Sequence, residues 1–403
     1  MANAYIVGAV RTATGRKNGR LSRMHPVDMG AAVVDELVYR TGVPTDKVDD
    51  VVFGVVMQIG SQASNLGRNV ALSSKLALEV PGTTVDRQCG SSLQAIQFGA
   101  QAVMSGTQDV VICGGVEAMS TVEIGSNVRD GLEKGRGVPK GERLELQYPA
   151  IQFSQFDGAE LLAEKYRISR EALDEFGLLS HLRAATATKS GYFEKEIVPL
   201  HIELDDGSKD VHTVDEGIRF KADLEGMKSL NALREGGVIT AGTASQISDG
   251  AAAVMVANEE AVRKFDLPVR AKIHALAVVG SDPVIMLEGP IPATEKVLEK
   301  VGLSIDDIDL YEVNEAFGSV PLAWAKALNA DPEKLNVNGG AQSLGHPLGG
   351  TGAKLMTTLV HELERRQARF GLVAICEGGG TANAMIIERM DQLDSERRSQ
   401  HYA

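Results

Sequence analysis

The feature that most constrains this chain is that it repeats itself. The segment from Gly42 to Val51 reads like the segment from Gly302 to Tyr311, 260 residues later. Val110-Val111-Ile112-Cys113-Gly114 reads like Val373-Ala374-Ile375-Cys376-Glu377, and the two cysteines lie 263 apart. Generic alternation of strands and helices could yield either match alone. Two matches at nearly one offset point to a duplicated unit. The halves differ in one respect. The Cys376 segment runs almost directly into Asn383–Glu388, whereas its counterpart after Cys113 resumes only at Ala251–Val256. An insertion is therefore expected between them. This divides the chain into an N-terminal half (1–120 plus 248–270), an inserted loop domain (121–247) and a C-terminal half (271–403).

Along the chain, apolar residues three or four apart predict helices over 27–40, 92–105, 169–190, 293–301 and 316–328. Short Val- and Ile-rich runs predict strands at 5–8, 51–56, 109–113, 252–256, 372–376 and 384–388. Strands alternating with helices imply mostly parallel sheets. Two such sheets interleaved with helices predict an α/β fold in five layers, α/β/α/β/α. The 403 residues are enough for several packed units.

The net charge of −13 leaves no surplus of Lys and Arg for neutralising a nucleic acid. No apolar run approaches the length of a membrane span. The expected partners are therefore neither nucleic acid nor membrane. Three cysteines is a count suited to free thiols in a reducing cytoplasm. The ending His401-Tyr402-Ala403 is not a Ser-Lys-Leu type address.

Cys89 follows an extended stretch, precedes Gly90-Ser91-Ser92 and opens an amphipathic helix. A thiol there would feel the positive end of the helix dipole, which favours the thiolate over a free thiol's pKa of about 8.5. The alternative is a small buried thiol in a core. His346 sits among glycines and beside Pro347, a backbone path suited to facing a ligand. Cys376 ends a strand and precedes Gly378-Gly379-Gly380, which can aim backbone N–H groups at an anion. Asn314 opens Asn-Glu-Ala-Phe and could equally cap a helix. Cys113 reads as core. The cysteines lack the paired spacing of a zinc site, so no metal is expected, and no G-x-G-x-x-G follows a first strand.

Taken together, these segments resemble the thiolase family. The resemblance is carried by Ala9-Val10-Arg11-Thr12, the Cys89 segment, Thr240–Ser245 with Asp249–Ala252, Asn314–Phe317, and the His346 and Cys376 blocks. It spans most of the chain, and it implies a duplicated five-layer core and acyl transfer between CoA thioesters. Cys89 would then be the nucleophile, activated by His346 as general base, and Cys376 the acid or base at the α-carbon. One oxyanion hole would use His346 and a water on Asn314. The other would use the N–H groups of Cys89 and Gly378.

No cofactor would be held permanently, and coenzyme A would be a co-substrate, with Arg219 at the adenine nucleotide and Ser245 at pantetheine. Met286 matches a methionine of the acyl pocket, and Lys134, Arg136, Lys140 and Arg143 could add a basic rim. The resemblance also implies acyl-CoA and CoA as partners and a homodimer or homotetramer. Thiolytic cleavage of a 3-ketoacyl-CoA is the expected activity, with synthesis of acetoacetyl-CoA and non-catalytic acyl-CoA binding as the alternatives. The chain departs from the family at Ser154-Gln155-Phe156, where many members have His-Met-Gly. That segment covers the acyl pocket, so acyl specificity does not carry over.

Overall fold

The structure, a computed structural model, describes residues 2–204 and 206–393. The final residues 394–403, with the His401–Ala403 ending, lie outside the described residues. The first half contains β1 (Tyr5–Thr12), α1 (Pro26–Thr41), β2 (Asp50–Gly54), α2 (Leu66–Ser73), β3 (Gly82–Val85), α3 (Ser91–Ser105) and β4 (Val110–Ala118). After a long excursion it closes with β5 (Ser248–Ala257). The second half contains β6 (Ala271–Gly280), α4 (Pro290–Val301), β7 (Leu310–Val313), α5 (Ser319–Leu328), α6 (Thr351–Arg366), β8 (Phe370–Glu377) and β9 (Thr381–Arg389). Along the sheet the order is β7-β8-β9-β6-β1-β5-β4-β2-β3.

The repeat is visible atom by atom. Asp50 pairs with Val111 in the first half and Leu310 with Gly371 in the second, the same parallel register displaced by 260 residues. Asp49 Oδ2 accepts the N–H groups of Asp109 and Val110, and Asp309 Oδ2 accepts those of Arg369 and Phe370. Each half thus anchors the start of its second parallel strand with one aspartate from the loop before its first.

The sheet is mixed, which corrects the expectation of mostly parallel strands. The pairs β8-β9, β9-β6, β6-β1, β1-β5 and β5-β4 are antiparallel, while β2 pairs in parallel with β3 and β4, β7 with β8, and the end of β1 with the short strand Ile197–Val198. The reason is local: β8 returns as β9 through Gly378–Gly380, too short a link for the crossover that parallel strands require. The two halves also meet edge to edge, Tyr5 facing Lys272 and Ile6 facing Ala271, so the expected two sheets are continuous at that seam.

Three apolar clusters separate the layers. The first fills the space between α1–α2 and the first half's strands (Leu37, Phe53, Val70), and the third that between α4–α5 and the second half's strands (Val297, Trp324, Leu372). The middle cluster belongs to α3 and α6 (Leu93, Ile96, Met356, Leu359), which lie against one another between the two sets of strands. Their approach is so close that a Cβ on Gly352 would stand 2.2 Å from the Leu93 nitrogen. Only glycine fits there. The predicted helix at 316–328 begins at Ser319 instead, with Gly318 as its cap.

Between β4 and β5 the chain forms two helices, Gln155–Lys165 and Arg170–Lys189, with shorter pieces around them. One buried ion cluster ties this segment to the first half. Arg11 donates to both oxygens of Asp215 (2.8 and 3.0 Å) and to Glu196 (2.5 Å), all three essentially without solvent contact. Arg11 belongs to the first sequence block singled out above, and its role here is to join two parts of the fold. No helix among the described residues is long and apolar enough to cross a membrane.

Candidate active site

The duplication sets up the site. Cys89 precedes α3 and His346 precedes α6, equivalent places in the two halves, and α3 and α6 are packed together. Cys376 is the last residue but one of β8, and just past the neighbouring strand β7 the Asn314 N–H donates to the Ala374 carbonyl of β8. The three residues therefore come from three strand or helix ends at the centre of the molecule.

His346 is buried, and its orientation is fully determined by hydrogen bonds. Its N–H donates to Ser248 Oγ at 2.7 Å, and Gly345 before it takes φ +81°. Its Nδ1 lies 2.6 Å from Thr351 Oγ1, and the Thr351 hydroxyl donates to the Pro347 carbonyl at 2.9 Å. Thr351 can then only accept from Nδ1–H, which leaves the lone pair on Nε2. Asn314 Nδ2 faces that nitrogen at 3.5 Å, while Asn314 Oδ1 has no protein partner. Asn314 is wholly buried and does not cap a helix, because α5 starts five residues later. Burial, and secondarily Lys354, pushes the His346 imidazole down to about 3, so it is neutral and able to accept a proton.

Two buried side chains hold the His346 loop. Lys354 Nζ donates to the carbonyls of Leu344 and Gly345, each at 2.8 Å. Burial lowers this ammonium to about 8. The Glu117 carboxylate accepts the N–H groups of Val56, Met57 and Gly349 and the amide of Gln62, which pins the turn after His346 to the first half. Neither Thr351, Lys354 nor Glu117 was singled out in the sequence. Thr351 and Lys354 lie in or just beyond the glycine-rich window, but only their contacts reveal what they do.

Cys89 sits in the turn Arg87–Gly90, with Gln88 at φ +48° and Ser91 Oγ accepting from the Arg87 N–H. The expectation of a stabilised thiolate is corrected here. Burial, then the carboxyl groups of Glu377, Glu117 and Asp86 once ionised, drive the thiol up to about 12. The helix dipole loses because three carboxyl groups and an enclosed site oppose it. Cys376 is buried and also raised well above an ordinary thiol, by burial first and then by Cys89 and Glu377. Each thiol is therefore neutral at rest. Cys113 is fully buried against Gly99, away from this chemistry.

A cavity of about 750 Å³ opens on the inserted segment, lined by His181, Arg219, Phe220, Lys221, Leu230 and Gln342 among others. The Arg219 N–H donates to His181 Nδ1 at 3.1 Å, and burial pushes that imidazole down to about 4. Ala241, Gly242 and Gln246 also line it. Ser245 lies in that strip, and its N–H donates to Ala316 of the Asn-Glu-Ala-Phe block. Met286 is buried at φ +56°, in the cluster that holds Phe317 and Ala159. Lys140 is engaged with the carbonyls of Tyr148 and Ile151, and none of Lys134, Arg136, Lys140 and Arg143 lines the cavity. His181 carried no signal in the sequence.

Two thiols whose charges would interact, a neutral imidazole and a duplicated α/β core thus meet in one region of the fold. Residues 4–260 match the thiolase N-terminal domain and residues 267–389 the thiolase C-terminal domain, so the chain belongs to the thiolase family and is an acyltransferase. It is 51% identical over 392 residues to the steroid 3-ketoacyl-CoA thiolase FadA6 of Mycobacterium tuberculosis, covering 97% of this chain and 95% of that one. It is 41% identical to the mitochondrial 3-ketoacyl-CoA thiolase of Bos taurus, covering 95% and 98%. The Bacillus anthracis acetyl-CoA acetyltransferase structure superimposes with a TM-score of 0.89 at 38% identity, covering 97% and 99%.

Proposed function

We propose that this thiolase works in the degradative direction, cleaving a 3-ketoacyl-CoA with CoA to acetyl-CoA and a shortened acyl-CoA. The observation that carries the assignment of roles is the His346 hydrogen-bond chain. With Nδ1–H committed to Thr351, Nε2 is the base for the Cys89 thiol. Because the thiol is raised and the imidazole lowered, proton transfer accompanies attack on the keto carbon and is not complete beforehand. The resulting imidazolium Nε2–H, with Asn314 beside it, then faces an oxyanion. Carbon–carbon cleavage releases the acetyl-CoA enolate, which takes its proton from the Cys376 thiol, and CoA thiolate removes the acyl group from Cys89. The Cys89 and Gly378 N–H groups are assigned to the second oxyanion.

CoA is assigned to the cavity that opens on the inserted segment 121–247, with Arg219 in its lining and Ser245 next to the lining residue Gln246. Acyl-CoA and CoA are the partners in this reading, which places a homodimer or homotetramer in the cytoplasm. For the acyl group we favour a ring-bearing chain. The high identity to an enzyme named for steroid substrates supports this, as does an aromatic wall, Phe156 standing edge-on to Phe317 at 5.5 Å, where many family members have the smaller His-Met-Gly. The test is intact mass during turnover. An acyl adduct should appear on Cys89 and vanish in Cys89→Ser. Cys376→Ala should still acylate but lose deuterium exchange into acetyl-CoA. An unmodified Cys89 under turnover would sink the mechanism, and a panel of linear and ring-bearing 3-ketoacyl-CoAs decides the substrate.

A further inference from the structure

One buried group at the centre of the site has no part in the chemistry above. Glu377 stands between Cys376 and Gly378, fully buried at the end of β8. Its Oε2 accepts from the Thr381 hydroxyl at 2.6 Å, and its Oε1 is buried with no hydrogen-bond partner. The carboxyl group reaches across to the other half of the molecule and rests on the nucleophile's turn. A Cβ on Gly90 would stand 2.0 Å from Oε1 and 2.8 Å from the carboxyl carbon. Asn383, on the returning strand β9, donates from Nδ2 to the Gly90 carbonyl at 3.0 Å. Gly90 is therefore the seat on which a side chain and a hydrogen bond from the second half press the Cys89 turn into place.

The groups that face Glu377 come from three directions. Arg87, Asp86 and Cys89 lie on the turn before α3, Cys376 is on its own strand, and Thr381 is on β9. Cys89 and Cys376 both experience the Glu377 charge, and in both it opposes the thiolate. A carboxylate in this place works against the reaction, whereas a carboxylic acid does not. A buried Oε1 without a protein partner is also far less costly as part of an acid than of an anion.

We propose that Glu377 is a positioning residue that serves acyl transfer only while it carries a proton, so that its ionisation suppresses thiolate chemistry at Cys89 and Cys376 together and sets the alkaline limit of the enzyme. The structure supports the protonated form at neutral pH. Burial raises the carboxyl to about 8, with Thr381 and Arg87 opposing that rise and Asp86 adding to it. The reading rests on Cys89 as the nucleophile, and the experiment separates the two ideas because it reads the thiol directly.

The full-length enzyme is alkylated with iodoacetamide from pH 6 to pH 10, and Cys89 modification is followed by mass spectrometry alongside kcat/KM. In the wild type, the rise of the alkylation rate with pH should flatten near pH 8. Glu377→Gln should remove the flattening and react about tenfold faster at pH 9, the factor that one pH unit of thiol ionisation carries. Its kcat/KM should lose the alkaline fall. Thr381→Val keeps the carboxyl but removes a donor that favours its ionised form, so the flattening should move to higher pH. If Glu377→Gln cannot be obtained folded, Thr381→Val decides alone. Profiles that coincide with the wild type in either variant overturn the proposal, whether or not Cys89 proves to carry the acyl group.

Discussion

At the scale of single residues, the site is governed by who holds which proton. Burial holds Cys89 and Cys376 as thiols and His346 as a neutral imidazole, so in the proposed mechanism a fixed tautomer takes the place of a preformed ion pair. Thr351 fixes it. Thr351→Val should lower kcat/KM by roughly 10–100-fold, a part of the 10²–10⁴ that general base catalysis supplies, and Thr351→Ser should restore most of it. Steady-state kinetics of both variants check this, and a Val variant as active as wild type would remove Thr351 from the account. The residue types themselves were legible: a cysteine before a helix, a histidine wrapped in glycines, a cysteine before three glycines. Their protonation was not, because it depends first on burial, and at Cys89 then on Glu377 and Glu117, which only folding brings to that turn.

At the scale of elements, the inserted segment presents its cavity through a histidine that must stay neutral. His181 Nδ1 accepts the Arg219 N–H only in its uncharged form. Its value in the folded protein, about 4, lies below the ordinary histidine value of 6.5. Between those limits the unfolded chain binds a proton that the folded one refuses, so stability is lost as pH falls through that window. His181→Gln, neutral at every pH and still able to accept, should show a shallower fall between pH 6.5 and 4, by up to about 1.4 kcal/mol for each pH unit. Urea titrations across this range measure it, and parallel curves for the two proteins would refute it. The helix that carries His181, Arg170–Lys189, was readable from apolar spacing. The contact of His181 with Arg219 was not, since nothing local distinguishes it from a surface histidine.

At the scale of the whole molecule, the proposed site lies where two halves are pressed together. Gly352 in α6 meets the Leu93 backbone of α3 with no room for a methyl group, and that contact sets the spacing between the Cys89 turn and the His346 loop. Gly352→Ala cannot be absorbed by a side-chain rotation, because the obstacle is main chain. We expect a loss of about 1–3 kcal/mol or more, together with a fall in kcat larger than the change in KM. Thermal unfolding and kinetics test this jointly, and an unchanged Tm would show that the helices can part without cost.

The amino-acid sequence by itself determined the duplication, because each half must close its own core with the same apolar text. It also determined the chemistry-bearing residue types, because turn-forming glycines and strand ends leave a local signature. Tertiary structure alone decided that the central strands β9, β6, β1, β5 and β4 pair antiparallel, since each of those pairings joins segments far apart in the chain. It alone decided the state of Cys89 as well. A helix start favours the thiolate locally, but enclosure and carboxyl groups from both halves override it at distances that sequence does not encode.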